Sequence, residues 1–321
     1  MDYSKLNDII KSSKNILIIS HINPDGDTLG SMCGLRCAIK KNFKKTCEML
    51  IISKVPSIYH FMPEVNNVKT LDDFDKSREY DLVINVDIAS LDRICDGKIL
   101  FERAKHTVNI DHHKTNNSYG EINIIDPDAS STGEVLYNCM QKMGWELNLD
   151  TAICLYTAIL TDTGSFKYSN TKYETLRIAS ELVAIGVMPN DIYANVYESD
   201  SKTLVMFQSY CVSRAKFLED DKIAYMNVYK KDMEKFGANE ECMEGLTEKL
   251  RSIATTRVAF VAKEMKSGAT KISIRSKLAD VAEICKVFGG GGHKFAAGCT
   301  IKASLEIATK KMLAEIKKHE I

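Results

Sequence analysis

Three short, mainly apolar runs constrain this chain more than any other feature. They are residues 15–19 (Asn-Ile-Leu-Ile-Ile), 82–86 (Leu-Val-Ile-Asn-Val) and 107–110 (Thr-Val-Asn-Ile), and a His or Asp follows each within two residues. A strand wetted on one face alternates apolar and polar residues, whereas a strand buried on both faces does not. Between the runs lie helical patterns. Residues 29–40 read as a helix, and so do 135–143, preceded by Ser131-Thr-Gly-Glu134, which matches a capping box. Residues 151–160 read as a further, apolar helix. Buried strands alternating with helices predict an α/β domain over residues 1–190, a parallel sheet with helices on both faces. Residues 191–214 hold no Gly/Pro-rich linker and read as a helical connector. From 215 to 321 a smaller α/β unit follows, with strands at 223–229, 257–262 and 271–275 and a helix at 279–288. Gly289-Gly-Gly-Gly292 comes directly after that helix.

The chain has 321 residues, 45% of them hydrophobic and 27% charged, which suits two domains with ordinary cores. No apolar run approaches the ~20 residues that span a bilayer. The N-terminus lacks the charged-then-apolar layout of a signal peptide, so no membrane partner and a cytoplasmic protein are expected. Ten cysteines occur without one CxxC pair, which predicts free thiols in a reducing compartment. Net charge is zero but uneven: residues 215–321 hold 20 Lys and Arg against 15 Asp and Glu, leaving 23 against 28 in residues 1–214. An acidic part with a basic partner suits a metal site serving an anionic substrate. It suits long nucleic acid less well, because that needs many phosphate contacts.

The polar residues that end the apolar runs carry the chemistry. Open α/β sheets bind ligands at the carboxyl ends of their strands. His21, Asp25 and Asp27 follow the first run in a loop turned by Pro24 and Gly26. Asp87 follows the second, and Asp111-His112-His113 follows the third. Asp92 and Arg93 read as a local ion pair. Asp162 ends the apolar helix ahead of Gly164, where a carboxylate is unfavourable to the helix dipole. The set His21, Asp25, Asp27, Asp87, His112 and Asp162 has four carboxylates and two imidazoles, too many for one tetrahedral zinc. It suits two divalent ions about 3.5–4 Å apart with a bridging carboxylate. Mixed N/O ligation without thiolate favours Mn²⁺, with Mg²⁺ or Co²⁺ as substitutes. In the second unit, Gly289–292 with His293 and Lys294, near a strand ending in Arg275-Ser276, predicts an anion pocket.

In combination and order these motifs resemble the DHH phosphoesterase superfamily. Arg275-Ser276 and the GGGGH at 289–293 resemble its DHHA1 domain, so the likeness covers almost the whole chain. A chain of this length is similar to the nanoRNase and pAp phosphatase proteins of that superfamily. The resemblance implies one metal held by His21, Asp25 and Asp87. It implies a second held by Asp27, Asp87, His112 and Asp162, with Asp87 bridging. It implies that His113 meets the scissile phosphate as electrophile or acid, while Asp111 orients an imidazole. Arg275, Ser276, His293, Gly291 and Gly292 would bind substrate, with Arg257 a further binding residue or a structural one. The implied activity is two-metal hydrolysis of short oligonucleotides to mononucleotides, of the 3′-phosphate of pAp, or of both, by a homodimer. A phosphodiesterase for linear pApA and a non-catalytic nucleotide-binding regulator are the alternatives.

Overall fold

In the computed structural model the apolar runs become neighbours in one sheet. Residues 3–75 and 77–320 are described, and the chain divides between Ser199 and Asp200 into two units. In the first, β1 (Ile16–Ile19), β2 (Glu48–Ile51), β3 (Val68–Thr70), β4 (Leu82–Val86), β5 (His106–Asp111) and β6 (Ile122–Ile125) lie in the order β3-β2-β1-β4-β5-β6. Every pairing is parallel, as the unalternating runs predict. The sequence reading misses β2, β3 and β6, which are three or four residues long and lie outermost or next to outermost.

Period-two geometry sends alternate residues to opposite faces. Ile16, Ile18 and Ile84 pack beneath α1 (Tyr3–Ser12), α2 (Gly26–Phe43), and further helices that appear later in the chain. Leu17, Ile19 and Val83 face Phe74, Tyr80, Ile94 and Phe101, the last from α3 (Lys98–Arg103). The helices on the first face include α4 (Thr132–Lys142), α5 (Leu149–Asp162), α6 (Tyr173–Ile185) and α7 (Pro189–Tyr197). Ser131 caps α4 by accepting the Glu134 N–H at 3.1 Å. The reciprocal half of that box is diverted: the Glu134 carboxylate accepts from the Ser130 and Thr175 hydroxyls instead.

Strand order reverses between β1 and β4. In an open α/β sheet that reversal opens a crevice at the strands' carboxyl ends. Three helices converge there because glycines allow close approach. A Cβ on Gly30 of α2 would lie 2.5 Å from the Cys154 carbonyl oxygen of α5. One on Gly133 of α4 would lie 2.5 Å from the Ala158 Cβ. The amino ends of α2 and α4 therefore come up against the carboxyl end of α5.

The second unit holds α8 (Lys202–Ser213), β7 (Lys216–Leu218), β8 (Ile223–Val228), α9 (Lys230–Phe236), α10 (Leu246–Arg251), β9 (Val258–Glu264), β10 (Thr270–Ser276), α11 (Val281–Lys286), β11 (Gly291–His293), β12 (Ala296–Ile301) and α12 (Leu305–Ile316). Its sheet order is β11-β12-β10-β9-β8-β7, antiparallel except for β8 with β9. Residues 191–214 are not one connector helix: α7 falls in the first unit and α8 in the second. The glycine run is not simply a loop either, since Gly291–His293 pairs with β12 as an edge strand. All ten cysteines are free and all but Cys95 are buried. Among the described residues no helix is long and apolar enough to cross a membrane.

Candidate active site

Each strand that borders the crevice ends in a ligand-type side chain. His21 lies two residues beyond β1, Asp87 directly follows β4, and Asp111 closes β5 ahead of His112 and His113. Asp25 caps α2, accepting the Thr28 N–H at 2.9 Å. Asp27, in the first turn of α2, is buried and accepts the N–H groups of Thr132 (2.8 Å) and Gly133 (3.0 Å) at the head of α4. A helix amino end is a natural seat for an anion. Asp162 is the last residue of α5.

These side chains form three overlapping groups whose ligand atoms lie within 4.8 Å of one another: His21, Asp25 and Asp87; Asp27, His112 and Asp162; and Asp87, Asp111, His112 and His113. The His112 Nε2 atom lies 3.7 Å from Asp27, 3.7 Å from Asp162 and 3.9 Å from Asp87. Those separations are too long for hydrogen bonds. They fit atoms that share a cation about 2.1 Å from each. The donor set is oxygen and imidazole nitrogen with no thiolate, so the residues fit hard or borderline divalent ions.

Asp87 sits where the groups meet. One of its oxygens accepts the Thr28 hydroxyl at 2.6 Å and lies 3.3 Å from His21 Nε2. The other accepts the Thr132 hydroxyl at 3.2 Å and lies 3.7 Å from His113 Nδ1. Its φ of 60° is left-handed, a conformation that Asp adopts more readily than most residues. His113 Nδ1 lies 2.7 Å from Asp111. Asp111 is fully buried and also accepts the His112 N–H (2.8 Å) and the Asn116 amide (2.6 Å). Asn116 is in turn held by Asn109 (2.9 Å) and by the Ile88 carbonyl (3.0 Å). A carboxylate so fixed gives the imidazole one orientation.

In the second unit, β-register puts Arg275 opposite Ala296, and Ala296 opposite His293, so Arg275 and His293 share one row across β10, β12 and β11. Arg275 donates to Glu248 at 2.7 Å and lines a cavity of about 400 Å³ with Lys263, Lys271 and Ser273. Ser276 is 1% exposed, and its hydroxyl accepts the Leu278 N–H at 3.0 Å. A Cβ on Gly292 would lie 2.5 Å from the Ala296 carbonyl, so this glycine is required by β12 itself; Gly291 has open space. Arg257 adjoins β9, with its N–H donated to Lys222.

Residues 15–159 match the DHH family, N-terminal domain, and residues 220–319 match the DHHA1 domain. The chain is 31% identical to the "Probable bifunctional oligoribonuclease and PAP phosphatase NrnA" of Streptococcus mutans, over 90% of both chains. It belongs to the DHH family of phosphoesterases. The bifunctional oligoribonuclease and PAP phosphatase NrnA of Bacillus subtilis is 28% identical over 95% of this chain and 96% of that one. Among solved structures, an exopolyphosphatase-related protein from Bacteroides fragilis superimposes with a TM-score of 0.90 at 27% identity, covering 98% of this chain and 95% of that one.

The electrostatics of this DHH-family site call for cations. Burial, then repulsion from Asp87, Asp162 and Asp25, drives the Asp27 pKa well above the carboxylate range. Burial also pushes Asp162 up to about 6. Burial alone would raise Asp87 too, but hydrogen bonds from His21 and Thr28 and the nearby imidazole charges outweigh it and hold Asp87 low. The Asp111 hydrogen bond raises His113 above the ordinary imidazole range.

A folded-state carboxyl pKa above the unfolded value means stability falls as pH rises between the two. An Asp162→Asn variant should therefore be more stable than wild type when both are metal-free at pH 8, by on the order of 1–2 kcal/mol after allowance for partial exposure. The gain should shrink as pH falls through about 6 towards 4, where the wild-type carboxyl is already neutral. Chelator-treated thermal melts across that range test it, and a gain that grows on acidification would be the wrong sign.

Sequence reasoning passed over four residues at this site. Thr28 and Thr132 clamp Asp87 from two helices, and Asn116 clamps Asp111. The polar residues Asp25, Asp27 and Thr28, heading a helix whose next two turns are largely apolar, were the available signal for Thr28. Arg93, read from the sequence as a local ion-pair partner of Asp92, instead brings its guanidinium to 3.1 Å from His21 Nδ1. Nothing local to Arg93 in the sequence marks that contact.

Proposed function

We propose that this protein is a two-metal phosphoesterase that trims dinucleotides to pentanucleotides to mononucleotides and removes the 3′-phosphate of pAp in the cytoplasm. The observation that carries this reading is the overlap of the three donor groups, two through Asp87 and two through His112, at the carboxyl ends of β1, β4 and β5. The near full-length likeness to proteins named for both activities supports the substrate class. His21, Asp25 and Asp87 would hold one ion, and Asp27, Asp87, His112 and Asp162 the other. Mn²⁺ suits this mixed set best. When bound, such ions supply the positive charge that lowers the pKa of water and offsets charge on phosphoryl oxygens. The protein's own part is then to position and to move protons. Asp111 fixes His113, whose outer nitrogen offers a hydrogen bond or proton to the departing oxygen as the P–O bond breaks. Arg275, Ser276, His293, Gly291, Gly292 and, less directly, Arg257 would hold the phosphate or base of the substrate, and a homodimer is the working unit.

The test is a substrate panel with chelator-treated protein, to which Mn²⁺, Mg²⁺ or Co²⁺ is returned. Mn²⁺ should restore mononucleotide release from pApA, pGpG and short RNA and phosphate release from pAp, with little action on long RNA. Turnover confined to pApA would mark a linear-dinucleotide phosphodiesterase. Nucleotide binding without turnover of any substrate would mark a regulator and overturn the proposal.

A further inference from the structure

Beside the metal-ligand cluster, within the first unit, lies a cavity of about 310 Å³ lined by Asp25, Asp162, Lys167, Tyr59, Tyr168 and Tyr197 among others. Two of the proposed ligands thus form one wall, and three tyrosines line the rest with other residues.

 Tyr168 and Tyr197 are 59% and 39% exposed, so part of each ring is open at the cavity. Neither ring is loose. The hydroxyl end of Tyr168 lies directly on Gly164, whose φ of 55° and missing Cβ make the contact possible. Tyr197 is braced by Tyr193, ring centroids 5.0 Å apart, and its hydroxyl reaches the Leu160 carbonyl at 3.5 Å. Exposed aromatic rings held in fixed places form a stacking platform with little entropy left to lose.

We propose that this cavity is a nucleobase subsite, in which Tyr168 and Tyr197 stack the base of the nucleoside next to the scissile phosphate. The inference rests on the phosphoester reading above and deepens it. Asp25 and Asp162 would sit at the phosphate end, so the group entering the cavity belongs to the nucleoside whose sugar is esterified to that phosphate. Of the parts of a nucleotide, the base is the one whose flat π-face suits tyrosine rings, and such stacking tolerates any base. Lys167, at the rim, suits a second phosphate. The size fits: small-molecule cavities begin at roughly 300 Å³.

The experiment compares the Mn²⁺-loaded wild type with Tyr168→Ala, Tyr197→Ala and Tyr168→Phe. Substrates are a dinucleotide and its counterparts with either base removed. Each alanine variant should raise KM for the intact dinucleotide by about tenfold to a hundredfold, with kcat changed far less. The loss should vanish for the counterpart lacking the stacked base, and Tyr168→Phe, which keeps the ring, should restore most of the affinity. An unchanged KM in both alanine variants overturns the subsite, and so does an equal loss on every abasic substrate. A wild type inert towards all phosphoesters overturns the functional reading instead. The subsite is then read by 2-aminopurine nucleoside monophosphate: fluorescence quenched by wild type but not by Tyr168→Ala supports it, and equal quenching by both overturns it.

Discussion

An Asp87→Asn variant should lose metal-dependent phosphoester hydrolysis, by about a thousandfold or more, since the Lewis-acid charge it helps to hold is worth several kcal/mol. Asp87 shares a donor group with His21 and Asp25, and its other oxygen lies 3.9 Å from His112 Nε2, so its loss weakens both proposed ion sites at once. Asparagine keeps the shape, tolerates the left-handed φ of 60° and still offers an oxygen to the Thr28 hydroxyl. What it removes is the negative charge and one of the two acceptor oxygens. Folding should survive, so a circular dichroism spectrum like the wild type's should accompany the loss. Metal bound after dialysis against Mn²⁺ should fall below half the wild-type content. Wild-type turnover in this variant would sink the assignment of Asp87 as the bridging ligand.

The second large effect is expected at His113. Its Nδ1 is held 2.7 Å from Asp111, and that hydrogen bond keeps a proton on the ring. His113→Asn should lower kcat by about a hundredfold to a thousandfold, the usual range for one positioned acid. Metal content should stay near wild type, because His113 lies outside the ligand set proposed here. The pH profile distinguishes a catalytic imidazole from a structural one. Raising pH removes the proton from wild-type His113, so kcat/KM should fall on the alkaline side. The variant should lack that fall. A variant with reduced kcat but the same alkaline limb would assign the proton to another group.

Much of this was legible because the decisive features are local. A run such as Leu82–Val86 that does not alternate can only be buried on both faces, and a His or Asp at its end can only stand at the rim of the sheet. The parallel sheet and the placing of His21, Asp87 and His112 follow from that, while Asp25, Asp27 and Asp162 were read from a turn and a helix end. The strands β2, β3, β6, β7, β11 and β12 were not legible, because segments this short, or in β12 this rich in small residues, lack a long apolar run and show strand geometry only through the neighbour they pair with. Arg93 is a similar case: 72 residues separate it from His21, and no local pattern records the contact.

Chain order and residue type by themselves determined which chemical groups would reach the rim: His21, Asp25, Asp27, Asp87, His112 and Asp162. Tertiary structure alone decided what they are to one another. Gly30 and Gly133 let three helices approach closely enough to bring Asp27, Thr132 and Asp162 together. The same packing removes water from Asp27 and crowds it with other carboxylates, so its pKa rises while hydrogen bonds from His21 and Thr28 hold Asp87 low. Desolvation and repulsion depend on distances across the fold, and no sequence spacing encodes those distances directly.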